Sequence, residues 1–405
     1  MPKQLQKKSV HPKQFWMWAV ILFFGVVSLG QFGRIEIINW PAFYAHDVVL
    51  GIFVTWMLLR GEFRQFLLKI LEVFPTLGSV SFGWAGTGLA IAAITGSSIF
   101  YPLATLSRIL LYVFAAGSVL FLIKKNKLTV TILRSGLLFF FSLLLFFGII
   151  QYALIPDTRF LFFLGWDDHY YRLISTMFDP GFTGILLVLG YFFLQEGIDQ
   201  EFRFKSLQIG LSLGMIVGLL LTYSRASYLA FGVLMVFIVW KKWKQSQPQH
   251  AYMQACVLAM FVICLFFLPQ PGGEGVKLGR TSTIEARAIT AQQSFTNFNT
   301  LTSFVVGKGL FIAPVQTESI YSGTTSHAKV ADNWMIALLS GTGVVGLFLS
   351  FAVLFKTLRW ALSKPRSYLG IAILAVLVHG MFNAGVTYPF IWIALLSWGV
   401  ITLES

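Results

Sequence analysis

Almost from end to end, the chain is divided into apolar runs about as long as a bilayer is thick. An α-helix needs roughly 17–25 mostly apolar residues to cross the hydrocarbon core. That ruler marks twelve candidate spans in 405 residues, near 15–33, 43–60, 77–96, 100–123, 132–155, 180–196, 206–222, 226–240, 251–269, 333–355, 367–384 and 386–403. Only 11% of the residues are charged, where a soluble domain carries about a quarter. Forty-one Phe and twelve Trp would leave a soluble particle of this size with large exposed apolar patches, so soluble, disordered and disulfide-stapled classes are excluded. The reading is an all-α integral membrane protein, one polytopic domain over 1–405.

The net charge of +14 has to be read by position, because Lys and Arg flanking membrane spans report orientation before they report partners. No nucleic-acid partner is implied. The first span follows Lys3, Lys7, Lys8 and Lys13 and is longer than a secretory h-region, with no small-residue cleavage site behind it. It reads as an uncleaved anchor with the N-terminus in the cytoplasm. Alternating twelve spans from that start puts Arg60, Arg64, Lys69, Lys124, Lys125, Lys127, Arg134, Arg203, Lys205, Lys241, Lys242, Lys244, Lys356, Arg359, Lys364 and Arg366 on the same side, so that twenty of the thirty basic residues are cytoplasmic. A miscounted span would invert half the chain and spoil that asymmetry. Both termini are then cytoplasmic. The two cysteines, Cys256 and Cys264, share one apolar run and behave as small hydrophobes.

Two hydrophilic excursions fall on the outer face. Residues 156–179, PDTRFLFFLGWDDHYYRLISTMFD, are aromatic enough to lie along the interface as a partly helical flap. Residues 270–332, between spans nine and ten, form a loop of more than sixty residues, a length that usually signals function.

Polar chemistry stands out against this background at a few points. The stretch from Ser206 to Trp240 is too long for one span, and its polar centre Tyr223-Ser224-Arg225 reads as a tight hairpin with Arg225 at the outer membrane edge. A cation there is either a functional group or a snorkelling turn residue. Arg287 lies in GRTSTIEARAITAQQSF, which suits a short helix with Ser282 or Thr283 as N-cap; its plain alternative is a solvated pair with Glu285 or Glu274. Arg172 precedes the FDPGFTG entry to span six, and Arg159 and Arg280 are weaker candidates. His327, Lys329, Asp332 and Asn333 stand at the outer start of span ten, where Asp332 is equally a helix cap or a catalytic carboxylate. Gly341, Gly343 and Gly346 suit close helix packing. Asp167-Asp168-His169 reads as a solvated turn rather than a metal cluster, since adjacent carboxylates on a helix point apart.

Taken in order, the arginine hairpin LTYSRASYLA, the outer loop with an arginine helix and then the G-x-G of VVGKGLF, and the DN-x-x-x-x-L-x-x-x-G entry to the next span resemble the O-antigen ligase and polymerase superfamily. The resemblance covers roughly residues 140–350, FDPGFTGILLVLG included. It implies a membrane-embedded glycosyltransferase of the GT-C type, acting at the outer face of the bacterial inner membrane on glycans carried by undecaprenyl diphosphate. The family's two functional arginines fall on Arg225 and Arg287, which with Arg172 would bind the donor diphosphate. The family's ligases carry a histidine where this chain has Asp332, a departure that favours a polysaccharide polymerase, with Asp332 or His327 as the proton acceptor. No cofactor is expected. The implied partners are the undecaprenyl-diphosphate-linked oligosaccharide, an acceptor glycan or lipid-linked glycan, membrane lipid, a chain-length regulator and a flippase.

The chemistry of the class agrees. Breaking a sugar–diphosphate bond builds negative charge on the leaving group, which a metal or fixed cations must stabilise. Arginine suits this through its permanent charge and bidentate fork, and the first outer loop, GRIEIINW, offers only Glu36 towards a metal site. A metal-independent transfer is therefore expected. Two alternatives stand beside it: a ligase transferring glycan to lipid A-core, and a secondary transporter, whose common twelve-span form places its long loop inside rather than after span nine.

Overall fold

Inside a bilayer no water is present to satisfy a backbone amide, so an apolar segment closes its own hydrogen bonds as a helix. In a computed structural model, residues 12–35, 42–59, 90–91, 93–94, 100–200, 205–279, 281–295, 300–308, 332–364, 367–383 and 388–404 are described. They form α1 (Pro12–Ser28), α2 (Ala45–Leu59), α3 (Phe100–Lys124), α4 (Val130–Leu154), α5 (Pro180–Asp199), α6 (Lys205–Leu221), α7 (Arg225–Lys244) and α8 (Pro248–Phe266). After these come α9 (Ser282–Phe295), α10 (Leu301–Val306), α11 (Trp334–Leu362), α12 (Leu369–Gly380) and α13 (Pro389–Glu404).

Among the described residues, six helices are long and apolar enough to cross a membrane, and five shorter apolar helices accompany them. These eleven correspond to eleven of the twelve expected spans; most of the expected span 77–96 lies outside the described residues. The chain is thus a helical, multi-pass membrane protein. Some expected boundaries move. The first span ends at Ser28 and passes into a 3-10 turn, Gly30–Gly33, because Gly30 adopts φ +57 with its Cα against the Thr176 backbone.

At the centre stands α5, buried along nearly its whole length by α4, α6, α7 and α12. Where every surface is apolar, close approach is decided by small residues. A Cβ at Gly184 would lie 2.8 Å from the Ser227 side chain, and one at Gly190 3.1 Å from the Phe141 ring. The lysine-rich end of the bundle is tied by Glu196, only 2% exposed, which accepts from Arg134 (3.2 Å), Ser367 (3.0 Å), the Tyr368 amide (2.8 Å) and Trp398 Nε1 (2.9 Å). Asp199 beside it takes Lys242 Nζ (2.6 Å) and the Tyr368 hydroxyl (2.7 Å). Glu196 thus joins α4, α5, α13 and the start of α12, and Asp199 adds α7 through Lys242.

Other polar groups gather at the opposite end. Two short antiparallel strands, β1 (Arg34–Ile35) and β2 (Phe43–Tyr44), lead into α2. There Asp47 accepts from the Tyr112 hydroxyl (2.7 Å) and Arg108 Nε (3.1 Å), and Arg108 also donates to the Ala42 carbonyl. The 156–179 excursion is a stapled flap. Thr158 donates through Oγ1 to the His169 carbonyl (2.9 Å), and a 3-10 helix, Arg159–Leu164, leaves Phe160, Phe162, Phe163 and Leu164 exposed.

Candidate active site

Helix α6 stops at Leu221 because the chain reverses at once. Tyr223 takes φ +51, and its side chain is fully buried with the hydroxyl donating to the Pro269 carbonyl at 2.6 Å. Ser224 then caps α7, accepting from the Ser227 amide, so that Arg225 is the first residue of the new helix. The hairpin expected at Tyr223-Ser224-Arg225 is present. Arg225 donates through an Nη to the Leu278 carbonyl at 3.1 Å. From the flap side, Arg172 donates through Nε to the Thr222 carbonyl (3.1 Å) and through Nη to the Tyr223 carbonyl (3.4 Å). Arg172 therefore holds the backbone that presents Arg225.

Arg287 projects from α9, whose first turn closes from the Glu285 amide to the Thr281 carbonyl at 3.2 Å. That closure starts the helix at Ser282, so Ser282 and Thr283 lie inside it rather than serving as its cap. Among the described residues the partner of Arg287 is Asp332 rather than Glu285: its Nε donates to Asp332 Oδ2 at 3.3 Å, with both side chains about one-third exposed, while the Glu274 side chain lies outside the described ones. Asp332 is not the cap of α11. Asn333 takes that role, accepting from the Met335 (2.9 Å) and Ile336 (3.2 Å) amides. With the cap one residue on, the Asp332 carboxylate turns to Arg287. Desolvation holds its carboxyl above the ordinary carboxylate value; Arg287 pulls it back and Asp167 pushes it up. Arg225 and Arg287 lie within electrostatic reach of each other, so two cations and one carboxylate from positions 225, 287 and 332 share one region.

Glycines make the approach of α9, α10 and α11 possible. Thr300 and Ser303 form a capping box that starts α10. After Val306 the chain runs against α11, with Lys308 N donating to the Ser340 carbonyl at 3.0 Å. A Cβ at Gly307 would meet Gly341 and Thr342 backbone at 2.5 Å, and one at Gly343 would strike the Val305 backbone. Gly343 also breaks the helix, at φ 63 and ψ −171. Of the three glycines expected to allow close packing, Gly341 and Gly343 thus contact the loop glycine Gly307 backbone to backbone, whereas Gly346 faces the Thr342 side chain of its own helix.

One further group sits in this region. Asn333 Nδ2 donates to the Met381 carbonyl and Trp334 Nε1 to the Leu377 carbonyl, each at 3.2 Å, strapping the start of α11 to the end of α12. Between those two carbonyls lies His379, completely buried, and among the described residues neither ring nitrogen has a hydrogen-bond partner. The Gly181 backbone lies beside the ring without reaching hydrogen-bond geometry, and Arg287 is within electrostatic reach. Asp179, which caps α5 by accepting from the Phe182 amide at 2.7 Å, closes the same corner. The sequence carries one signal for His379, an ionisable residue inside an apolar run, with no ligand spacing around it.

The other candidates separate. His327 and Arg280 lie outside the described residues. Arg159 is bound to Asp157 (2.8 and 2.6 Å) and stacks on Tyr170. In the Asp167-Asp168-His169 run the carboxylates are exposed while His169 is buried.

These features define a multi-pass α-helical membrane protein with an arginine–carboxylate site at one end of the bundle. Residues 210–351 match the model of the O-antigen ligase family, which supports the O-antigen ligase and polymerase superfamily that the motifs resemble. Members of that family are glycosyltransferase-like enzymes. The matched segment runs from α6 into α11 and contains Arg225, Arg287 and Asp332; Arg172 and His379 lie outside it. A comparison with curated proteins finds no match.

Proposed function

We propose that the chain is a bacterial surface-polysaccharide polymerase. It would transfer glycan from an undecaprenyl-diphosphate donor to an acceptor sugar hydroxyl at the outer face of the inner (cytoplasmic) membrane, with the 270–332 loop over the site. The observation that carries this reading is the Arg287–Asp332 pair beside Arg225: cations for a diphosphate and a proton acceptor in one place. Arg225 and Arg287 hold the donor diphosphate, and Arg172 assists through the carbonyls of the Arg225 hairpin. The acceptor oxygen bonds to the anomeric carbon, the bond from that carbon to the diphosphate oxygen breaks, and its electron pair leaves with undecaprenyl diphosphate. The hydroxyl proton passes to Asp332, whose desolvation makes it a stronger base than a solvated carboxylate; His327 is the alternative acceptor. Fixed guanidinium groups supply the countercharge without a metal.

The second reading within the class is a ligase transferring finished glycan to lipid A-core, the activity that the family description names. A deletion strain separates the two. Core carrying a single repeat marks a lost polymerase; bare core with accumulated lipid-linked polymer marks a lost ligase and would overturn the proposal.

A further inference from the structure

Among the described residues the Arg287 guanidinium has Asp332 as its carboxylate partner, at 3.3 Å through Nε. Both residues are assigned above to opposite ends of the same reaction, Arg287 to the donor diphosphate and Asp332 to the acceptor proton. A guanidinium fork that grips a diphosphate oxygen pair cannot keep the same geometry on a carboxylate. We infer that the Arg287–Asp332 ion pair is the donor-free form of the site, and that Asp332 competes with the incoming diphosphate for Arg287. The inference rests on the reading of Arg287 as a diphosphate ligand and deepens it.

The consequence is an order of events. Until a diphosphate displaces it, Asp332 is held by the cation and is a poor proton acceptor. Once Arg287 turns to the diphosphate, the carboxylate loses its main neutralising neighbour, while Asp167, the other charge that reaches it, opposes its ionisation. Its affinity for a proton rises at the moment a donor is present. Arg225 is a second cation within electrostatic reach of Arg287, as is the buried His379 ring.

The pair makes an unusual prediction: removing a residue needed for turnover tightens substrate binding. Farnesyl diphosphate binding to the full chain in nanodiscs is measured for wild type, Asp332→Asn, Asp332→Ala, Arg287→Ala and Asp167→Asn, with thermal unfolding on each sample. Asp332→Asn and Asp332→Ala are expected to bind about three- to tenfold more tightly than wild type, the range for a partly exposed ion pair that no longer has to be broken. Asp167→Asn, which deletes an equal charge outside the pair, is expected to change affinity less. Unchanged or weaker binding by both folded Asp332 variants, with binding lost in Arg287→Ala, overturns the competition and leaves the diphosphate reading standing. Equal tightening by Asp167→Asn overturns it as well, since a general field would then suffice. Wild-type binding by Arg287→Ala overturns both.

Discussion

Arg225 begins a helix and donates to the Leu278 carbonyl. If it served only to snorkel from a turn, lysine would replace it, because an ammonium on a flexible stem reaches the interface equally well. If it grips a diphosphate, lysine loses the planar fork. Arg225→Lys is therefore expected to insert and fold normally yet fall to within about tenfold of Arg225→Ala in polymer formation, a loss of the order seen when a bidentate charged contact goes. Wild-type polymer length from the lysine variant would assign the residue to the turn. His379 poses the opposite test. A buried polar atom without a partner costs about 1–3 kcal/mol, so His379→Leu is expected to keep or raise the thermal midpoint of the purified protein. A clear fall would show that the ring holds a hydrogen bond. Residue by residue, the arginines and Asp332 were legible because charge is rare in this sequence; their pairing was not. Glu285 is the near neighbour of Arg287 in sequence, whereas Asp332, forty-five residues away, is the neighbour in space.

At the level of elements, the break in α11 carries a similar lesson. Gly343 holds a positive φ inside a run that reads as one continuous span, with the Val305 backbone and Gly307 N (2.6 Å) occupying the place of a Cβ. Since both obstacles are backbone, they cannot swing aside as a side chain would. Gly343→Ala is expected to cost at least about 1–3 kcal/mol in thermal or denaturant unfolding and to detach α10 from α11, read as increased proteolysis near Thr300. Helix existence was visible from apolar length alone, and the Tyr223-Ser224-Arg225 turn from the excess of length between Ser206 and Trp240. The caps were less visible. Ser282, Thr283 and Asp332 are all good N-cap types, yet α9 already begins at Ser282 and α11 is capped by Asn333, so residue type alone does not select the cap.

For the whole molecule, the arrangement of basic residues makes the membrane frame testable. A reporter active only outside the cytoplasm is expected to work when fused after Thr300 and to fail after Lys244, on either side of α8 and the loop that follows it. Equal activity at both positions would dissolve the outer-face site. Sequence alone determined that this chain lives in a bilayer, how its apolar mass is cut into helices, and which few polar residues stand out, because those follow from transfer free energy and spacing along the chain. Only tertiary structure decided that α5 is the central helix, that Glu196 and Asp199 together gather five helices at one end, and that Arg287 meets Asp332 within electrostatic reach of a buried His379 at the other. In a chain apolar on nearly every face, hydrophobic pattern cannot say which face turns inward. That choice falls to small residues, backbone clashes and hydrogen bonds between positions far apart in sequence, and these exist only once the helices have met.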